Sequence, residues 1–360
     1  MNTTTQIITI DLTNTNKIQQ YSLIQQAAAI IKTGGTVAFP TETVYGLGAN
    51  ALNPNAIKKI FKAKNRPSDN PLIVHISSRE QIHDLARNIP KTALKLADTF
   101  WPGPLTMILK RKKIVPDITT CNLDTVAVRM PDNPIALKLI TLSGVPIAAP
   151  SANLSGRPSP TTARHVINDL NGRIDVIIDA GPVEIGVEST VVDMTSSIPV
   201  ILRPGRAGIE ELRECIGEIR IGYKDQTTAE KEIVRSPGMK YTHYSPRTKV
   251  VLVEGGEGVV ADMIIELILQ YQEDKISYGL LVLNETAEHI AEYITIKEMF
   301  SLGKRNKPSD AAYNLFAGLR YLDERNVDVI IVDGSLGHEG IGEAIWNRLS
   351  KAADEIIDVT

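Results

Sequence analysis

TVAFPTETVYGLGANA, residues 36–51, decides how the chain is read. Thr36 to Phe39 is a short apolar run with strand character, and Pro40 closes it because proline has no N–H to give to a ladder. Short hydroxyls and two glycines follow at once. Gly46 and Gly48 carry no Cβ, so a backbone that a ligand can approach closely is the expectation. Thr41 and Thr43 could bind a small polar substrate through their hydroxyls, and Glu42 and Tyr45 could position it. As local structure alone, the same stretch is a tight strand-to-helix turn with satisfied side chains.

Outward from that stretch the chain keeps alternating. IITI (7–10) precedes a helical pattern from Ser22 to Lys32, which Gly34-Gly35 ends. Strands are expected at Leu72–Ile76, Leu105–Leu109, Val126–Arg129, Pro146–Ala149, Val176–Asp179, Thr190–Asp193 and Val200–Leu202. Helical patterns fall between many of them, at Pro54–Lys64, Thr92–Phe100, Pro134–Leu142, Ala163–Leu170 and Glu210–Ile216. This is α/β grammar, and it predicts an open, twisted, mixed sheet. Apolar periodicity fades after Ile219, where SPGMKYTHYSP (236–246) sets two prolines and a glycine around aromatic rings and reads as a linker. VVLVEG (250–255), GLLVLN (279–284) and VDVIIVDG (327–334) then alternate with helical patterns, which predicts a small parallel, Rossmann-like layer. The domains expected are therefore 1–217, a linker or lid at 218–248, and 249–360.

With 360 residues, 43% of them hydrophobic and 22% charged, the chain can bury two cores and has an ordinary globular composition. No apolar run approaches the ~20 residues of a membrane span, and the first residues lack the basic start and apolar stretch of a secretory signal, so a cytoplasmic setting is the expectation. Cys121 and Cys215, with no CxxC pair, make neither a disulfide framework nor a cysteine zinc site. Residues 246–360 carry 11 Lys and Arg against 20 Asp and Glu, a charge of −9, which leaves 28 against 22, or +6, for residues 1–245. The first part could attract phosphates.

Two further segments can carry chemistry. In FKAKNRPSDNPLIVHI (61–76), Lys62, Lys64 and Arg66 gather at a helix end stopped by Pro67, beside Ser68 and Asn70, and a guanidinium fork with an ammonium suits oxyanions. Cations at a helix C-terminus are also favoured by its dipole alone. PIAAPSANLSGRPSPT (146–161) runs a buried-looking strand into Ser151, Asn153, Ser155 and Ser159, and ligands of open α/β sheets bind outside strand ends. Arg129, Ser189, Thr190 and Arg203 add polar groups at other strand edges. No P-loop, HExxH, GxSxG or strand-following GxGxxG is present, so a pocket for ATP would be of an unusual kind.

Taken in order, PTETVYGLGANA, the KxR of Lys64 and Arg66, and the SxN of Ser151 and Asn153 resemble the YrdC/YwlC family of threonylcarbamoyl-AMP synthases over about residues 15–217. The remainder resembles the long form of that family, with a C-terminal domain joined by a linker that folds over the active site. The resemblance implies a nucleotidyltransferase that converts L-threonine, bicarbonate or CO2, and ATP into L-threonylcarbamoyl-AMP and pyrophosphate. The product would serve threonylcarbamoyl transferase machinery that modifies the adenosine beside the anticodon of ANN-decoding tRNAs. It also implies Mg2+ carried by the triphosphate, with no dedicated protein metal site. Lys64, Ser68, Thr120, Ser151, Asn153, Ser159, Arg203 and Tyr241 would then bind ATP. Thr41, His75, Arg129 and Ser189 would bind threonine, with Arg129 on its carboxylate, and Lys64 and Arg66 would stabilise phosphate charge. Tyr241, His243 and Tyr244 suggest a lid over the nucleotide, or else rings that dock the C-terminal domain. A module that binds double-stranded RNA or tRNA without catalysis is the alternative, and direct tRNA contact is compatible with either. The carbamoyltransferase of hydrogenase maturation, which contains a similar domain, needs cysteine-rich zinc fingers that two cysteines cannot build.

Overall fold

A computed structural model describes residues 4–11, 17–223 and 244–359. By contacts the chain divides into two units. The first comprises Met1–Ser155, Ser159–Glu184 and Glu188–Tyr241, and the second Gly156–Pro158, Ile185–Val187 and Thr242–Thr360.

The first unit holds strands β1 (Gln6–Thr9), β2 (Val37–Pro40), β3 (Tyr45–Asn50), β4 (Ile73–His75), β5 (Leu105–Lys110), β6 (Thr125–Arg129), β7 (Ile147–Ala148), β8 (Val176–Asp179), β9 (Thr190–Asp193), β10 (Val200–Arg203) and β11 (Arg220–Ile221). They form one 11-stranded sheet in the order β1-β8-β2-β3-β7-β4-β6-β5-β9-β10-β11. Parallel and antiparallel pairs mix, because β2 and β3 make a hairpin while β4 and β6 run parallel. Alternation along the strands feeds a separate core on each face. Ala38 and Ile177 enter one cluster with Leu47, Ile57 and Ile60, whereas Val37, Phe39, Val176 and Ile178 enter another with Ile31 and Leu139.

The opening stretch departs from a strand-to-helix turn, since Tyr45–Asn50 is itself a strand folded back on β2. Its glycines serve packing. A Cβ on Gly48 would lie 2.6 Å from Phe39 Cε1 and 2.7 Å from Ile147 Cγ2, so the absent side chain makes room for a core ring and not for a ligand. After β3 comes the helix Pro54–Lys64. Asn53 caps its start by accepting from the N–H groups of Asn55 and Ala56, and Asn65, in the left-handed conformation at φ 51°, ends it. Ala56, Ile57, Ile60 and Phe61 form its buried face, which sets Lys64 at the end of the helix against the sheet.

The second unit contains β12 (Lys249–Glu254), β13 (Tyr278–Leu283), β14 (Met299–Gly303), β15 (Val329–Gly334) and β16 (Glu355–Asp358). All neighbours run parallel, in the order β14-β13-β15-β12-β16. Helices Glu257–Glu273, Pro308–Asp323 and Ile341–Ala352 cover the sheet, as a parallel layer requires. Within the stretch expected as linker, Arg220–Ile221 pairs in parallel with β10. Tyr241 and His243 of the suggested lid lie outside the described residues. Tyr244, within the second unit, is buried and stacks on Phe316 with ring centroids 5.3 Å apart. No described helix is long and apolar enough to cross a membrane.

Candidate active site

Sheet register gathers residues that are far apart in the chain. His75 and Arg129 are partners across the parallel pair β4 and β6, and Thr106 faces Arg129 from the antiparallel neighbour β5. β9 runs parallel to β5 with Thr106 opposite Val191, and Arg203 of β10 also pairs with Val191. Ser189, just before β9, thereby joins the row. Its Oγ lies 2.8 Å from Thr106 Oγ1 and accepts from Arg203 Nη2 at 3.2 Å, while Arg203 Nε donates to the Ser189 carbonyl at 3.1 Å. Ser189 and Arg203 therefore form one buried unit, although the sequence assigns one to threonine and the other to ATP.

Beyond the end of β2, Thr41, Glu42 and Thr43 turn towards Arg129. The Thr41 hydroxyl shapes this turn by donating to the Val44 carbonyl at 2.7 Å and by accepting from the N–H groups of Thr43 and Val44. Arg129 Nη1 donates to Thr43 Oγ1 at 3.0 Å, and its Nε to the Gly103 carbonyl at 3.3 Å. Arg129 Nη2 lies 2.6 Å from Glu42 Oε1, with both side chains buried. Nη2 and Oε1 are thus engaged with each other as an ion pair without an aligned hydrogen bond, while Glu42 Oε2 has no hydrogen-bond partner. His75 is buried beside them, its ring met by the backbone of Ile73 and Ile147, and its Nδ1 has no aligned hydrogen bond. Burial, and secondarily the nearby Arg129 charge, lower its pKa from 6.5 to about 3, which keeps the imidazole neutral. Buried polar groups are normally paired, so several without partners in one cluster mark a place where a ligand completes the set.

The second cluster surrounds Lys64. Its ammonium is buried and donates to the carbonyls of Ser151 at 2.5 Å and Asn153 at 2.6 Å. Ser151 Oγ donates to Asn153 Oδ1, which holds the turn after β7 closed. The bridge between Gly46 and Ser151 ties that turn to the β2-β3 hairpin. Arg66 sits half-buried past the helix end, with Nη2 3.2 Å from the Asn70 carbonyl. Neither end of the buried Asn70 side-chain amide has a partner.

Other residues named from the sequence fall as follows. Ser159 is buried and donates to Glu188 Oε1. Thr120 is buried and points its hydroxyl at the Leu123 carbonyl of its own turn. Ser68 is exposed after the helix, and Tyr241 lies outside the described residues. Cys121 is half-buried, and desolvation pushes its thiol up to about 11, so it is not a ready thiolate. The sequence reading gave Glu42 a positioning role and set Asn70 beside the cations of the helix end, but it did not name Thr106 or Glu188. The hydroxyl-rich setting of Glu42 was visible, but no local pattern shows that Thr106 touches Ser189, 83 residues away.

This is an α/β protein whose candidate site is a row of buried cations, hydroxyls and one neutral imidazole along strand ends. A family model described as telomere recombination matches residues 29–205, and one described as threonylcarbamoyl-AMP synthase, C-terminal domain, matches residues 208–354. The chain is 49% identical to a threonylcarbamoyl-AMP synthase of Pyrococcus abyssi, covering 96% of this chain and 98% of the relative. It is 50% identical to the threonylcarbamoyl-AMP synthase of Bacillus subtilis over 92% of each chain. A Pyrococcus abyssi structure solved in complex with L-threonine superposes with a TM-score of 0.91 at 48% identity, covering 99% of this chain and 100% of the other. The chain belongs to the threonylcarbamoyl-AMP synthase family.

Proposed function

We propose that this protein makes L-threonylcarbamoyl-AMP and pyrophosphate from L-threonine, bicarbonate or CO2, and ATP, as a nucleotidyltransferase serving tRNA modification. The observation that carries this reading is the buried cluster of Arg129, Glu42 and His75, in which Glu42 Oε2 and His75 Nδ1 have no hydrogen-bond partner, in a chain with synthase relatives along nearly its full length. A separate RNA-binding role without catalysis is not favoured, because those relatives are named as synthases.

In this reading threonine's carboxylate lies on Arg129. His75 Nδ1 meets its hydroxyl, and Thr41 and Ser189 line the site. The threonine amine and CO2 form a carbamate, whose oxygen attacks the α-phosphorus of ATP as the bond to pyrophosphate breaks. No protein nucleophile is required. The chain's task is to align two anions and steady phosphate charge by preorganised donors. Arg66, Ser68, Thr120, Ser151, Asn153, Ser159, Arg203 and Tyr241 are assigned to ATP together with Lys64. Because the Lys64 ammonium is bound to two backbone carbonyls, its first role is to hold the Ser151–Asn153 turn in the shape that receives the nucleotide. Mg2+ would be carried by the triphosphate oxygens and share their charge, since the oxygens of that turn are engaged by the Lys64 ammonium and by the Ser151–Asn153 hydrogen bond. The adenylate would then pass to threonylcarbamoyl transferase machinery.

The test is pyrophosphate release by the full chain. Release that requires ATP, threonine and bicarbonate together, with no RNA, is the expected result. Lack of release with all three present would end the proposal.

A further inference from the structure

Threonine enters the reaction as a zwitterion, and the assignment above accounts for its carboxylate and hydroxyl but not for its ammonium. Among the described residues of the Arg129 cluster, Glu42 offers the one negative charge. It is 3% exposed, and its Oε1 lies 2.6 Å from Arg129 Nη2. Oε1 makes that ion pair without an aligned hydrogen bond, and Oε2 has no hydrogen-bond partner, although a buried carboxylate ordinarily accepts several. Arg129 is held on its other side by Thr43 and Gly103, so it does not need Glu42 to fix its direction. A buried pair of opposite charges in which Arg129 Nη2 and both Glu42 oxygens make no aligned hydrogen bond is complementary to a molecule that carries both charges a few ångströms apart. The carboxylate and ammonium of an α-amino acid are such a pair.

We propose that Glu42 binds the α-ammonium of threonine, so that Glu42 and Arg129 together read the amino acid as a zwitterion. Glu42 is then a substrate-binding residue that sets specificity for an α-amine. It also sets the nitrogen in a fixed direction, towards the carbon that it must attack once deprotonated. This rests on the placement of the threonine carboxylate on Arg129.

The test compares L-threonine with the 2,3-dihydroxybutyrate of matching configuration, in which a hydroxyl replaces the amine, by calorimetric titration of the full chain in the presence of ATP. A hydrogen bond to a charged group is worth about 1.5–3 kcal/mol, so wild-type protein should bind the dihydroxy acid on the order of 10- to 100-fold more weakly than threonine. Glu42→Gln should bring the ratio close to one while ATP affinity stays as in wild type. Equal binding of the two ligands by wild-type protein overturns the proposal, and this arm needs no variant to fold. A folded Glu42→Gln protein that keeps the full preference overturns it as well, and leaves Glu42 as a partner of Arg129 alone. An Arg129→Lys arm separates the two ideas. If that variant binds threonine as tightly as wild type, the carboxylate assignment fails and this inference falls with it. If threonine binding is lost in Arg129→Lys but the amine preference survives in Glu42→Gln, only the present inference is wrong.

Discussion

The ammonium of Lys64 donates to the carbonyl of Ser151 at 2.5 Å, across 87 residues of chain. This bond, with its companion to Asn153, joins the end of the helix Pro54–Lys64 to the turn after β7. A lysine that looks like a free phosphate ligand in the sequence is thus also a clamp between two segments of the site.

Lys64 and Arg66 should therefore respond differently to truncation. Lys64→Met takes the ammonium from the buried Asn153 carbonyl, at a cost of about 1–3 kcal/mol, and from the partly buried Ser151 carbonyl, so both activity and the urea midpoint should fall. Arg66→Ala removes a half-buried side chain whose Nη2 donates to the Asn70 and Pro71 carbonyls at 3.2 and 3.4 Å. It should lower adenylate formation on the order of 100-fold with nearly unchanged stability. An unaltered urea midpoint in Lys64→Met would show that the clamp contributes nothing.

His75 makes the protein sensitive to acid. Its folded pKa, near 3, lies below the ordinary 6.5, so the unfolded chain binds the extra proton between those values. Stability from this group is complete above pH 6.5 and declines by about 1.4 kcal/mol for each pH unit below it, until the folded pKa is reached. His75→Gln removes the titration. The difference in unfolding free energy between about pH 7.5 and about pH 5 should shrink by about 2 kcal/mol in the variant. An identical pH dependence in both proteins would contradict the buried neutral imidazole.

Selectivity should follow the hydroxyl of threonine. Valine has nearly the same shape but leaves the polar cluster around His75 Nδ1 unpaired, and sites that read a hydroxyl reject such analogues by ~10^4. Serine, short of one methyl, should be rejected only by ~10- to 200-fold. Pyrophosphate release at equal rates with threonine and valine would remove the hydroxyl from the recognition scheme.

Tyr244 is expected to act on the second unit. It is 5% exposed, stacks on Phe316, and has the Arg348 guanidinium 5.9 Å from its ring. Tyr244→Ala should destabilise that unit by about 3 kcal/mol, as for other buried aromatic truncations, while Tyr244→Phe keeps most of the stability. Equal urea midpoints for the two variants would mean that the ring's packing is not what holds this segment.

Much of the architecture follows from local patterns. Asn53, Pro54 and Asn65 bound a helix by capping chemistry that any reader of the chain can apply, and VVLVEG, GLLVLN and VDVIIVDG read as buried parallel strands because both faces of each are covered. The hairpin of β2 and β3 was harder to see, since Gly46 and Gly48 mimic a ligand-binding turn, whereas the folded neighbours are Ala149 at Gly46 and Phe39 and Ile147 at Gly48.

By itself, the sequence determined the α/β class, the parallel second sheet, the strand-end position of Arg129, and the KxR and SxN pairs that carry the family resemblance. These depend on periodicity, capping and motif order, which are properties of neighbours in the chain. Only the tertiary structure decided that Glu42 faces Arg129, that Ser189 bridges Thr106 and Arg203, and that the Lys64 ammonium is bound to the backbone. The reason is physical: these contacts are set by sheet register and by which buried polar groups find partners, and each joins segments that only folding brings within 4 Å.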